Sequence, residues 1–106
     1  MPKYLFRAKL TVDGLKGLRA EGAIARREVI ERMVQSVGGR LESVYWAFGE
    51  DDVYVTADLP GNTAAAAIGM ATTAAGGVRT STVVLLTADE VDEATRQQVE
   101  YRALGA

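Results

Sequence analysis

The stretch YWAFGEDDVYV, residues 45–55, decides the fold. Two aromatics lead into a Phe-Gly corner, three acids follow in a row, and Val53, Tyr54 and Val55 resume an extended pattern. Asp and Gly favour turns, whereas the β-branched and aromatic residues on either side favour strands. The connection is short, so RLESVYWAFG and DVYVTADL are expected to pair as an antiparallel hairpin with a tight turn at residues 49–52.

Upstream, KYLFRAKLTV alternates Tyr4, Phe6, Ala8 and Leu10 with Leu5, Arg7, Lys9 and Thr11. That period of two, with aromatics on one side, predicts a strand with one apolar face. Asp13-Gly14 turns the chain, and DGLKGLRAEG reads as a loose or short helical connection. From about Ala23 the spacing becomes helical, with Val29, Ile30, Met33, Val34 and Val37 on one side, until Gly38-Gly39 ends it. Downstream of the hairpin, Pro60-Gly61 stops the strand and Asn62 is placed to cap a second helix of Ala, Thr and Gly that runs to about Ala75. VRTSTVVLL is a fourth strand, and TADE is a capping box, Thr87 to Glu90, opening a third helix rich in acids.

The order βαββαβ followed by a helix is the ferredoxin-like split βαβ arrangement, an α+β fold of one domain spanning residues 1–106. Its four-stranded antiparallel sheet carries both main helices on one face. Tyr4, Phe6 and Ala8 are expected beneath those helices together with Val53, Val55 and Ala57. Arg7, Lys9, Tyr54, Thr56 and Asp58 are expected on the opposite, open face. The fourth strand has apolar residues in both of its alternating sets, so its faces stay open. Tyr45 and Trp46 fall on opposite faces, in an order that alternation leaves undecided. An uncovered face of mixed character is a candidate dimer surface, and two such sheets would enclose a cavity.

Absences narrow the chemistry. The chain has no Cys and no His, which removes thiolate nucleophiles, zinc-thiolate sites, the usual haem ligand and the commonest general base. No cofactor and no metal are expected. A formal net charge of −2 gives no electrostatic footprint for nucleic acid or an anionic membrane. The N-terminus MPKYLFRAKL lacks the apolar core of a leader, so a cytoplasmic protein is expected.

At ESVYWAFGEDDVYV the chain resembles the GYD-domain family, small bacterial proteins of the dimeric α+β barrel type. The likeness extends through ARREVIERMVQSVGG and VRTSTVVLLTADEVDEA, nearly the whole chain. The family's Gly-Tyr-Asp signature maps onto the hairpin turn, where Gly49 and Asp52 match and Asp51 stands in place of the tyrosine. The resemblance implies a homodimer whose two sheets close a barrel. It implies no one activity, since the wider superfamily includes cofactor-independent monooxygenases, lactone isomerases, haem enzymes and ligand-responsive proteins.

Candidate site residues follow from these faces. Asp52, which opens the third strand and belongs to the signature, would serve as base. Tyr54 would give a ligand a hydrogen bond, and Arg7 would stabilise a developing anion. Tyr45, Trp46, Lys9, Thr56 and Arg79 would line the ligand site. Each has a plainer reading: Asp51-Asp52 as a turn pair, Tyr54 as an interface aromatic, Trp46 as core filling. Arg7, Lys9 and Arg79 would then be solvated charges at the edge or intersubunit ion-pair partners of Asp58 or Glu42. The function expected is a homodimer binding a small organic molecule in its barrel. It would be an isomerase-, cyclase- or monooxygenase-like enzyme independent of metal and haem, or a non-catalytic binding or assembly module.

Overall fold

Eight elements form in the order β1 (Lys3–Leu10), α1 (Val12–Glu21), α2 (Ala23–Ser36), β2 (Arg40–Trp46), β3 (Val53–Asp58), α3 (Asn62–Ala74), β4 (Val78–Leu85) and α4 (Ala88–Thr95), in a computed structural model that describes all of residues 1–106. The strands pair antiparallel in the order β2–β3–β1–β4. The crossovers between β1 and β2 and between β3 and β4 are helical, so the topology is ferredoxin-like, as the alternation predicts.

Cross-strand partners share a face, so the register fixes which side chains meet. Tyr4, Phe6, Ala8, Val53, Val55 and Ala57 are all buried under the helices, joined by Val44 from β2. Ile30 and Val34 of α2 and Ala65 and Ile68 of α3 close over them. β4 is settled by its pairing with β1: Val78, Thr80, Thr82 and Val84 oppose Leu10, Ala8, Phe6 and Tyr4 on the helix side. Arg79, Ser81, Val83 and Leu85 are therefore on the open side. In β2 the register shifts between Leu41 and Ser43, after which Tyr45 opposes Tyr54 and Trp46 opposes Val53. Tyr45 is thus on the open face, and Trp46 is beneath the helices.

Of the loose or short helical connection expected at residues 13–22, the helical form is the one taken: α1 is a ten-residue helix whose N-cap, Thr11, accepts a hydrogen bond from the Gly14 N–H. Two local expectations are corrected. Asn62 does not cap α3; the N-cap is Gly61, and the Asn62 side chain instead accepts the buried Tyr4 hydroxyl at 2.6 Å. A phenol almost wholly removed from water needs such an acceptor, and that demand outweighs the helix end's. The β2–β3 connection, residues 47–52, is longer than a tight turn and is closed by the Ala47 N–H donating to the Asp52 carbonyl at 2.8 Å.

Two close approaches set the layer spacing. At Gly14 an added Cβ would fall 1.8 Å from the Gly77 carbonyl oxygen, so the start of α1 and the start of β4 touch backbone to backbone. Thr11 fastens that contact, with its N–H donating to Gly77 at 3.0 Å and its hydroxyl to Gly76 at 2.8 Å. On the other side, Gly69 of α3 lies over Thr80 and Thr82 of β4. A Cβ at Gly69 would sit 3.8 Å from the Thr80 hydroxyl.

Beyond β4 the character changes. Every residue from Leu86 to Ala106 is exposed, and α4 buries none of its side chains. The radius of gyration is 16.8 Å. A compact chain of this length would have about 13 Å.

Candidate functional site

A cleft opens between the helices and the sheet. Its floor is Phe6, Ala8, Leu10, Trp46, Val53, Val55 and Val78; α2 supplies Val29, Ile30, Met33 and Val34, and α3 supplies Ile68, Ala71 and Ala75. The volume is about 560 Å³, within the range of small-molecule sites. α1 forms the remaining wall with Gly14, Gly17, Leu18 and Glu21, which share one helix face at three- and four-residue spacing. At Gly17 an added Cβ would meet nothing within 4 Å. A glycine inside a helix costs roughly 1 kcal/mol relative to alanine. Here no neighbouring atom requires it, and the residue is exposed at the cleft wall.

The lining is apolar, with its charges at the rim. Arg26 of α2 pairs with Glu21 of α1 across the corner at Gly22, whose φ of +88° allows the two helices to meet there. Asp13 is the third rim charge. The wall hydroxyls are already engaged: Thr72 donates to the Ile68 carbonyl at 2.8 Å, and Thr80 bonds Thr73 at 3.2 Å. No buried side-chain nitrogen or oxygen in the chain lacks a partner. The interior therefore offers contact area and few free polar groups.

The other candidate residues are distributed as follows. Trp46 is half-buried in the floor of the cleft. Tyr45, Tyr54 and Arg7 form one cross-strand row on the open face, with Ser81 at its end. Thr56 is in the next row, beside Ser43, to which its hydroxyl is bonded. Arg7 faces the Asp51 carboxylate at 4.0 Å. Both oxygens of Asp52 are engaged, one by the Leu10 N–H at 3.0 Å and the other by Lys9 at 3.4 Å, while Lys9 also donates to the Gly49 carbonyl. The Asp52 carboxylate thus ties the hairpin loop to the end of β1. Arg79 opposes Lys9 and makes no ion pair of its own. The structure brings Arg7 and Tyr54 together, separates both from Trp46 by the thickness of the sheet, and turns Asp52 toward β1.

Within the chain, Asp58 and Glu42 pair with residues of β1 and β2. Asp58, 7 % exposed, receives Lys3 and Arg40 at 2.9 Å each, and Lys3 also contacts Glu42. Arg40, and then Lys3, hold the Asp58 carboxyl below its ordinary range. Glu42, followed by Asp58, raises the Lys3 ammonium. No three carboxylates gather where they could hold a metal ion.

Sequence reasoning missed the α1 wall. Its signal was present as Gly14, Gly17, Leu18 and Glu21 at helical spacing, hidden by glycines that suggest a loop.

A family model described as the GYD domain matches residues 4–95, from the second residue of β1 to the last of α4. The chain belongs to the GYD domain family. No curated protein and no solved structure matches it. The GYD domain thus comprises the sheet, both crossovers and the helix α4, and the cleft described above is built wholly from residues inside it. No helix of the GYD domain is long and apolar enough to cross a membrane.

Proposed function

We propose that this GYD domain works as a homodimer in which each chain holds a small, largely apolar organic molecule in the cleft between helices and sheet. The observation that carries the reading is the apolar cleft of about 560 Å³ between helices and sheet, with Gly17 in its wall. Burying a ligand's apolar surface there gains roughly 25 cal/mol per Å² before the costs of association. With acids and Arg26 confined to the rim, the interior favours holding a molecule over acid–base work by side chains.

Trp46, the one tryptophan, forms part of the cleft floor, so its emission reports on occupancy. Titration with an apolar aromatic probe such as anilinonaphthalene sulfonate is expected to change Trp46 emission saturably. Gly17→Leu, which fills the cleft, should abolish that response and raise Tm. Equal probe affinity in Gly17→Leu would overturn the reading.

A second reading rests on the row Tyr45, Tyr54, Arg7. If two open faces enclose a barrel, this row would meet a ligand there, with Arg7 as the anion-stabilising group and Tyr54 as the hydrogen-bond donor. Binding or turnover that is lost in Tyr54→Phe and Arg7→Gln but kept in Gly17→Leu would favour the barrel over the cleft.

A further inference from the structure

The segment after β4 is built as a helix that its own chain does not support. Thr87 and Glu90 form a reciprocal capping box, the Glu90 N–H donating to the Thr87 hydroxyl at 3.1 Å and the Thr87 N–H to the Glu90 carboxylate at 2.9 Å. Yet α4 has eight residues, and helices shorter than about 12 residues are marginal in water without packing. A cap contributes only about 1 kcal/mol. Around α4 the exposed large apolar residues are Val84, Leu86, Val91, Val99, Tyr101 and Leu104, nearly half of all those in the chain, concentrated in its last 23 residues. The excess radius of gyration comes from the same place: an exposed arm beside a core that ends at β4.

We propose that the arm, residues 86–106, clasps a second copy of this chain, with α4 lying over the Lys9–Arg79 end of that copy's open sheet face. The inference rests on the dimeric part of the reading above. Charge selects the occupant. The arm carries five acids against two arginines, and Asp89, Glu90, Asp92 and Glu93 crowd α4. On the open face Lys9 and Arg79 stand opposite each other; Asp52 already holds Lys9, whereas Arg79 has no carboxylate of its own. Area points the same way. A four-stranded face eight residues long covers roughly 500 Å². A stable interface takes about 800 Å² from each partner. Reciprocal arms supply the difference.

The pairing also selects the symmetry axis. Two sheets stacked face to face about a two-fold axis parallel to the strands would put like ends together. An axis across the strands places the Leu85 end of one chain, where the arm begins, over the Arg79 end of the other. Only the second arrangement brings the acidic helix to the unpaired Arg79.

Sedimentation equilibrium across a concentration series tests this in the full-length chain. The substitutions fall on exposed side chains, and circular dichroism checks that the fold is kept. The expected result is a dimer whose Kd rises at least about tenfold in the arm variant Asp92→Arg/Glu93→Arg and in Arg79→Glu, with recovery when all three changes are combined. An unchanged Kd in the arm variant, or loss without recovery in the combined variant, overturns the clasp and leaves the dimer standing. A wild-type chain that stays monomeric at 100 micromolar, on the order of the loading used in such runs, overturns clasp and dimer together.

Discussion

Gly14 and Gly17 stand three residues apart on α1, and each is glycine for a different reason. At Gly14 a side chain has no room, because the Gly77 carbonyl occupies the position of its Cβ. At Gly17 a side chain has ample room, at an exposed position on the cleft wall. The two substitutions should therefore act in opposite directions. Gly14→Ala must push α1 off β4 and is expected to cost about 2–3 kcal/mol or more, as overpacking does, and to lower Tm accordingly. Thermal unfolding compares it with Gly17→Leu, which should gain stability. Little of this was legible in the sequence, where both residues look like turn formers. Asp52 is another case. Its place in the turn was readable, but its hold on the Leu10 N–H depends on how the loop folds back onto β1.

At the scale of elements, strand alternation was the most reliable guide. It placed Tyr4, Phe6, Ala8, Val53, Val55 and Ala57 under the helices, where they are buried. It failed on β4, because Val83 and Leu85 on one face and Val78 and Val84 on the other carry equal apolar weight, and only pairing with β1 separates them. Where β1, β2 and β3 come together, Asp58 joins Lys3 and Arg40 and so ties three neighbouring strands through one carboxylate. Its folded pKa is lowered, so the stability it adds is fully present above the unfolded value of about 3.9 and is lost as pH falls through the folded value. Asp58→Asn should lower Tm at pH 7 and make Tm less sensitive to acid below about pH 4; denaturation followed from pH 7 to pH 2 reads both. A Tm–pH curve in Asp58→Asn parallel to that of the parent would remove Asp58 from the acid response.

At the scale of the whole molecule, the sequence indicated an unpartnered sheet face but not the length of exposed chain beyond it. The tail has no periodicity after Thr95, and a segment that gains its packing from another chain leaves no pattern pointing to its own core. If the acidic arm and Arg79 hold the dimer, association should weaken with salt, because charges near the surface are screened over about 8 Å at 0.15 M and about 3 Å at 1 M ionic strength. A several-fold rise in dimer Kd between those salt concentrations, measured by sedimentation, is the expected outcome. A Kd that falls with salt would assign the interface to apolar contact alone.

The backbone contact between Gly14 and Gly77 has a consequence in time as well as in space. It joins residues far apart in the chain and closes one end of the cleft, so the cleft is complete only when both crossovers have docked. Closing a loop of such length costs more entropy than the local pairings do, so this contact is expected to form after the transition state, an order that φ-values at Gly14 and Gly77 would check. Interactions absent from the transition state act on the rate of unfolding and leave the rate of folding nearly unchanged. A molecule seated in the cleft is therefore a brake on opening and gives the newly made chain no help in reaching its fold.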